Sequence, residues 1–187
     1  MKQLIFIFLT FFSTGGILAQ NIAIKNNILY DATATPNLGI EVGLSKHLSF
    51  DVSGGCHPWS FNEDKSLKHW LVQPELRYWF SERFSEHYMG LHAQYMDYDF
   101  QGFNLPWGMK KGKRYDGTSW GFGLSYGYQL YLTPRWNMEF TLGGGYCQFE
   151  YTKYEPNQNG EKVDTGEFKR NYYGITKLGI SIVYIIK

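Results

Sequence analysis

The chain has 187 residues, 43% hydrophobic and only 19% charged, with Phe, Trp and Tyr supplying 19% and glycine another 21 residues. That composition suits one folded domain and excludes intrinsic disorder, while 18 Lys and Arg against 17 Asp and Glu give a formal charge of +1, too balanced for a nucleic-acid partner. Two cysteines and six prolines exclude a disulfide-stapled or collagen-like chain, and no apolar run reaches the 18 or so residues of a transmembrane helix.

The first predicted element is a signal peptide over residues 1–19. Lys2 gives a basic start, Leu4 to Phe12 an apolar core, and Ser13 to Ala19 a cleavage region, with the cut placed after Ala19. Residues 20–187 then form the predicted mature domain. No cysteine follows the cleavage region, so a lipid anchor is not expected.

Beyond this point the dominant period is two. In residues 21–32, Ile22, Ile24, Ile28 and Tyr30 alternate with Lys25, Asn27, Leu29 and Asp31. Residues 37–45 and 48–57 repeat the pattern, with Leu38, Ile40, Val42, Phe50 and Val52 opposing Glu41, Asp51 and Ser53. In residues 70–80, Trp70, Val72, Leu76, Tyr78 and Phe80 oppose Gln73, Glu75, Arg77 and Trp79; residues 88–99 are a weaker version. The clearest case is residues 117–132, where every even position except Thr118 is large and apolar or aromatic and the odd positions are mostly Gly, Ser or Gln. Residues 136–146 and 173–186 complete the set, the latter turning Leu178, Ile180, Ile182, Tyr184 and Ile186 away from Lys177, Gly179 and Ser181. A helix would scatter such residues around its circumference, so these are strands with one apolar and one polar face.

Eight such segments permit closure. Their connections alternate: 45–47, 81–86 and 133–135 are short, whereas 58–69, 101–116 and 152–170 are long and polar. Long and short connections on opposite rims, an apolar face free of charge and spans near ten residues predict an all-β, eight-stranded, antiparallel up-and-down transmembrane β-barrel of the outer membrane. Lipid and lipopolysaccharide are its expected surroundings. Lys25, Asp31, Glu41, Asp51, Glu75, Arg77, Glu139 and Lys177 fall on the inward face, and buried charges persist only when paired, so they are expected to form an internal polar network in a side-chain-filled lumen.

Sites for chemistry are sparse. His57 and His92 fall on the interior face, His47 and His87 at turns and His69 in a loop, so no Ser/His/acid set collects on the exterior as a lipid A-modifying enzyme needs. His57 and His69 match no metal-ligand spacing, the glycines of 121–127 lie within a strand and cannot cradle phosphate, and no cofactor is expected. Cys56 and Cys147 lie on opposite strands facing opposite sides, which forbids a disulfide. The third long loop offers the best binding surface: Trp107 as a stacking anchor followed by Lys110, Lys111, Lys113 and Arg114 as a cationic patch, although a solvated loop is the plainer reading.

Residues 26–44 (NNILYDATATPNLGIEVGL), 57–61 (HPWSF), 68–80 (KHWLVQPELRYWF) and 90–95 (GLHAQY) resemble an uncharacterised outer-membrane β-barrel family of Gram-negative gut bacteria, a domain of unknown function. The architecture is similar to the barrel of outer-membrane protein A. The resemblance implies an outer-membrane location and, through frequent neighbourhood to fimbrial genes, a tie to fimbriae or adhesion. The expected function is that of a structural or surface-interaction protein. A lipid A-modifying enzyme and a narrow channel are the alternatives.

Overall fold

The computed structural model describes residues 22–62, 65–102, 113–156 and 162–186. Among the described residues, nine strands and one short helix follow in chain order: β1 (Ile22–Asn27), α1 (Ile28–Ala32), β2 (Asn37–Gly43), β3 (Leu48–His57), β4 (Ser60–Asn62), β5 (Lys65–Trp79), β6 (Glu86–Gln101), β7 (Arg114–Tyr131), β8 (Trp136–Pro156) and β9 (Lys162–Ile186). All pairings are antiparallel. β3 pairs directly with β5, and β4 extends the β3 side along β5, so together they make one stave of eight. β1 pairs with both β2 and β9, Ile22 lying opposite Val42 on one side and Ile186 on the other, which closes the ring. The eight-stranded, up-and-down all-β architecture expected from the alternation is the one observed.

Alternation also sets which residues fill the lumen. On β7, Trp120, Phe122, Leu124 and Tyr126 point outward while Ser119, Gly121, Gly123, Ser125 and Gly127 point in. A Cβ on Gly127 would overlap the ring of Tyr88 and one on Gly90 the carboxylate of Glu75, so these glycines make room for bulky groups on neighbouring staves.

Three expectations are corrected. The first strand stops at Asn27 instead of running to residue 32, because the Asn27 side chain accepts from the Leu29 amide at 3.1 Å and caps α1. Two of the expected long loops, 58–69 and 152–170, are largely strand: β4 and β5 take in most of the first, His69 included, and β8 and β9 run on to Pro156 and back from Lys162; of 101–116, the described residues Gln101 and Arg114 to Asp116 are strand. Their Thr, Tyr and Phe residues fit a pleated sheet, and cross-strand pairs such as Lys169 with Glu150 at 2.9 Å stand in for an apolar face, leaving no period-two hydropathy to read. Finally, a bulge on β9 sets Gly143 opposite Lys177 and Gly144 opposite Ile175. Thr176 is the extra residue, and the apolar phase slips from odd (Tyr173, Ile175) to even (Leu178, Ile180) across it.

Strand length grows around the ring from 6 residues in β1 to 25 in β9. At about 3.3 Å per residue, β9 is on the order of 80 Å long. The wall is therefore low at β1–β3 and high at β8–β9.

Candidate functional site

Three layers fill the ring. At the short-turn end, Trp79, Phe84, Tyr88, Ala23 and Val183 form an apolar cap. Phe84 belongs to the turn between β5 and β6, where a positive φ of 61° folds its ring back into the barrel mouth, 6.0 Å from Trp79. At the long-loop end, Tyr98, Phe100, Tyr115, Cys147 and Phe149 form a second cap. Between them lies a layer of ions.

That layer draws one or two side chains from each of six staves. Arg77 on β5 is 1% exposed and sits at its centre. Its Nε donates to Glu75 at 2.6 Å, Nη1 to Glu41 at 2.9 Å and Glu139 at 2.8 Å, and Nη2 to Glu139 at 3.2 Å. The guanidinium also lies 4.4 Å from the Tyr88 ring centre, a cation–π contact. Lys25 on β1 reaches Glu139 at 3.0 Å and is paired with Glu41, while Lys177 on β9 donates to Glu75 at 2.9 Å. Hydroxyls complete the shell: Ser49 donates to Glu41, Ser125 to Glu75 and Thr141 to Glu139.

Backbone register explains why several cations must converge on one side of the layer. Glu41 lies opposite Asp51 on β2 and β3, and Asp51 opposite Glu75 on β3 and β5, so three carboxylates stand in one cross-strand row. Like charges placed this way repel. Arg77, Lys25 and Lys177 converge on the row and offset it. Asp51 is held most loosely, with Lys25 at 3.4 Å, Arg77 at 3.6 Å and Lys177 at 3.9 Å. It borders a polar cavity of about 40 Å³ that Ser53, Gln73, Asn27 and Thr141 also line, room for a few ordered waters.

Seven of the eight residues expected in the network are thus brought together. Asp31 is the exception. Because the chain turns into α1, Asp31 sits exposed on the rim, where its carboxylate accepts from Asn37 Nδ2 at 2.9 Å and Asn26 Nδ2 at 3.4 Å. Thr176, turned inward by the bulge, meets His92 Nε2 at 2.8 Å; the slipped apolar phase was its only trace in the sequence.

The expected cationic loop patch divides. Trp107, Lys110 and Lys111 lie outside the described residues. Lys113 and Arg114 do not form an open patch: Lys113 pairs with Glu155 at 2.6 Å, and Arg114 grips both carboxylate oxygens of Asp99 at 2.8 Å. Burial raises the Asp116 carboxyl above its ordinary range, and the neighbouring Asp99 adds to the effect.

His57 and His92 are each 1% exposed, inside the ring. His69 faces His57 across β3 and β5, with ring centres 5.7 Å apart and planes 8° from parallel. Among the described residues, no group of three or more His, Cys, Asp or Glu side chains is arranged to hold a metal ion. Cys56 and Cys147 are free, the first exposed and the second buried.

A family model described as a protein of unknown function, DUF3575, matches residues 4–186. The chain belongs to that family. Among curated proteins and among solved structures, nothing matches the chain. The family assignment brings no activity with it.

Proposed function

We propose that the chain is exported by a signal peptide over residues 1–19 and inserts as an integral outer-membrane barrel, serving as a structural and surface-interaction protein. The observation that carries this reading is the inversion of burial. Arg77 and Glu41 are at most 1% exposed, whereas Leu91 is 57%, Leu124 61%, Leu142 55% and Leu178 51% exposed. An apolar belt around the staves far exceeds the few hundred Å² that water-soluble monomers tolerate. Hydrocarbon accepts it, and a closed ring leaves few backbone groups unpaired there.

Aromatic contacts support two interfacial girdles on the outer face. Trp70 with Tyr95 (5.4 Å) and Trp120 with Tyr146 (5.9 Å) lie toward the long-loop end; Trp136 with Tyr184 (4.8 Å) lies toward the short-turn end. The tall β8–β9 wall then stands outside the cell, within reach of lipopolysaccharide and of other surface proteins, fimbrial subunits included. Two apolar caps over a packed ion layer argue against an open conduit. The test is fractionation with outer membranes together with heat-modifiable electrophoretic migration. Recovery as a soluble periplasmic monomer would overturn the proposal.

A further inference from the structure

The low side of the ring carries a feature unrelated to the ion layer. Where α1 and the following turn fold over the rim between β1 and β2, a hollow of about 340 Å³ opens, lined by Asn26, Asp31, Pro36, Asn37 and Trp59 among others. Trp59 is 50% exposed, yet its ring is anchored, because Nε1 donates to the Ala34 carbonyl at 2.7 Å. The Asp31 carboxylate is anchored as well. One oxygen takes both amide donors, from Asn37 and Asn26, and the second receives no hydrogen bond among the described residues.

The donors here are already committed. Asn37 Nδ2 also donates to the Asn27 and Thr35 carbonyls, and Asn26 Nδ2 to the Asn37 carbonyl. What the hollow offers a ligand is a flat apolar ring beside fixed acceptors, the second Asp31 oxygen and the Asn26 amide oxygen. Among the described residues, no Lys or Arg lines it. Phosphate or carboxylate ligands would meet a like charge, and a wholly apolar ligand would strip water from Asp31 without replacing its hydrogen bonds. A ligand that donates several hydroxyls on one edge and presents a C–H face on the other satisfies both walls.

We propose that this rim hollow binds a neutral hexopyranose, the end or branch of a glycan, with its C–H face on Trp59 and adjacent hydroxyls donating to Asp31. The inference depends on the membrane reading only for which side of the cell the rim faces, and purified protein tests it independently.

The experiment uses the full mature chain in amine-oxide micelles, which carry no sugar headgroup. Six tryptophans give six indole N–H cross-peaks, and the one missing in Trp59→Phe is that of Trp59. Methyl glucoside, mannoside, galactoside and N-acetylglucosamine are titrated in turn, with glucuronate as the charged comparison. The expected result is a saturable shift of the Trp59 peak with at least one neutral sugar and weaker binding of glucuronate. Asp31→Asn retains the oxygen that Asn37 and Asn26 hold, so it keeps the turn, and it should weaken binding about tenfold by removing a charge-assisted acceptor. Smooth lipopolysaccharide and soluble mannan, compared as competitors, distinguish a glycan of the membrane itself from one arriving from outside. A Trp59 peak indifferent to every neutral sugar, or affinity unchanged in Asp31→Asn, overturns the proposal. Heat-modifiable migration of each variant reports folding separately.

Discussion

Replacing Arg77 by alanine tests the interior most directly. Four carboxylates, Glu41, Asp51, Glu75 and Glu139, face three cations, Lys25, Arg77 and Lys177, so the layer carries a formal charge of −1. Removing Arg77 takes it to −2 and deprives Glu41, Glu75 and Glu139 of a donor at once. Breaking a buried pair by deleting one partner costs about 3–5 kcal/mol. Three partners push toward the upper end, and water from the adjacent 40 Å³ cavity pulls the other way. Arg77→Lys keeps the charge, but one ammonium cannot span the fork of contacts, so about 1.5–3 kcal/mol should be lost. Pairing Arg77→Ala with Glu139→Gln returns the charge to −1 and should recover part of the loss, with a coupling of about 0.5–3 kcal/mol. Unfolding by guanidinium in lipid vesicles, followed by tryptophan fluorescence, measures all of these. An unchanged midpoint for Arg77→Ala would refute the claim that the ion layer is held through this residue.

Two further outcomes follow from the surfaces. Phe122→Arg and Leu124→Arg, on side chains 54% and 61% exposed, should each cost about 2–4 kcal/mol in vesicles if they meet the bilayer midplane; equal tolerance in vesicles and in detergent-free buffer would contradict a lipid-facing belt. On the tall wall, hydrogen bonds from Lys113 and Lys153 pull the Glu155 carboxyl from 4.5 down to about 2. A depressed carboxyl stabilises the folded form above its ordinary value and ceases to do so as pH falls through the lowered one. Amide exchange at the β8–β9 hairpin, corrected for intrinsic rates, should therefore quicken between pH 4.5 and about 2, and Glu155→Gln should remove that dependence. A flat profile in the unmodified protein would show that these pairs do not hold the hairpin.

The eight staves, their two faces and most of the interior are legible from local pattern alone. Period-two alternation is a local property: once Phe122 points outward, Ser125 points in whatever the neighbours do. That is why Glu75, Arg77, Glu139 and Lys177 could be placed in the lumen before any pairing was known. Where a local signal competed, alternation misled. The Asn27 cap turned residues 28–32 into a helix and carried Asp31 to the rim, and polar strands such as Thr152 to Glu155 have no apolar face to betray them.

Which charges meet depends on packing across the closed ring. Register across separate staves sets Glu41, Asp51 and Glu75 in one row, and closure between β1 and β9 brings Lys25 and Lys177, far apart in the chain, to the one carboxylate they share, Asp51. The hollow under Trp59 is equally a product of folding, since Asp31 and Trp59 approach only when the turn between β1 and β2 lies against the end of β3. Pairing energies of this kind depend on distances that no local pattern encodes, so they become legible only once the ring has closed.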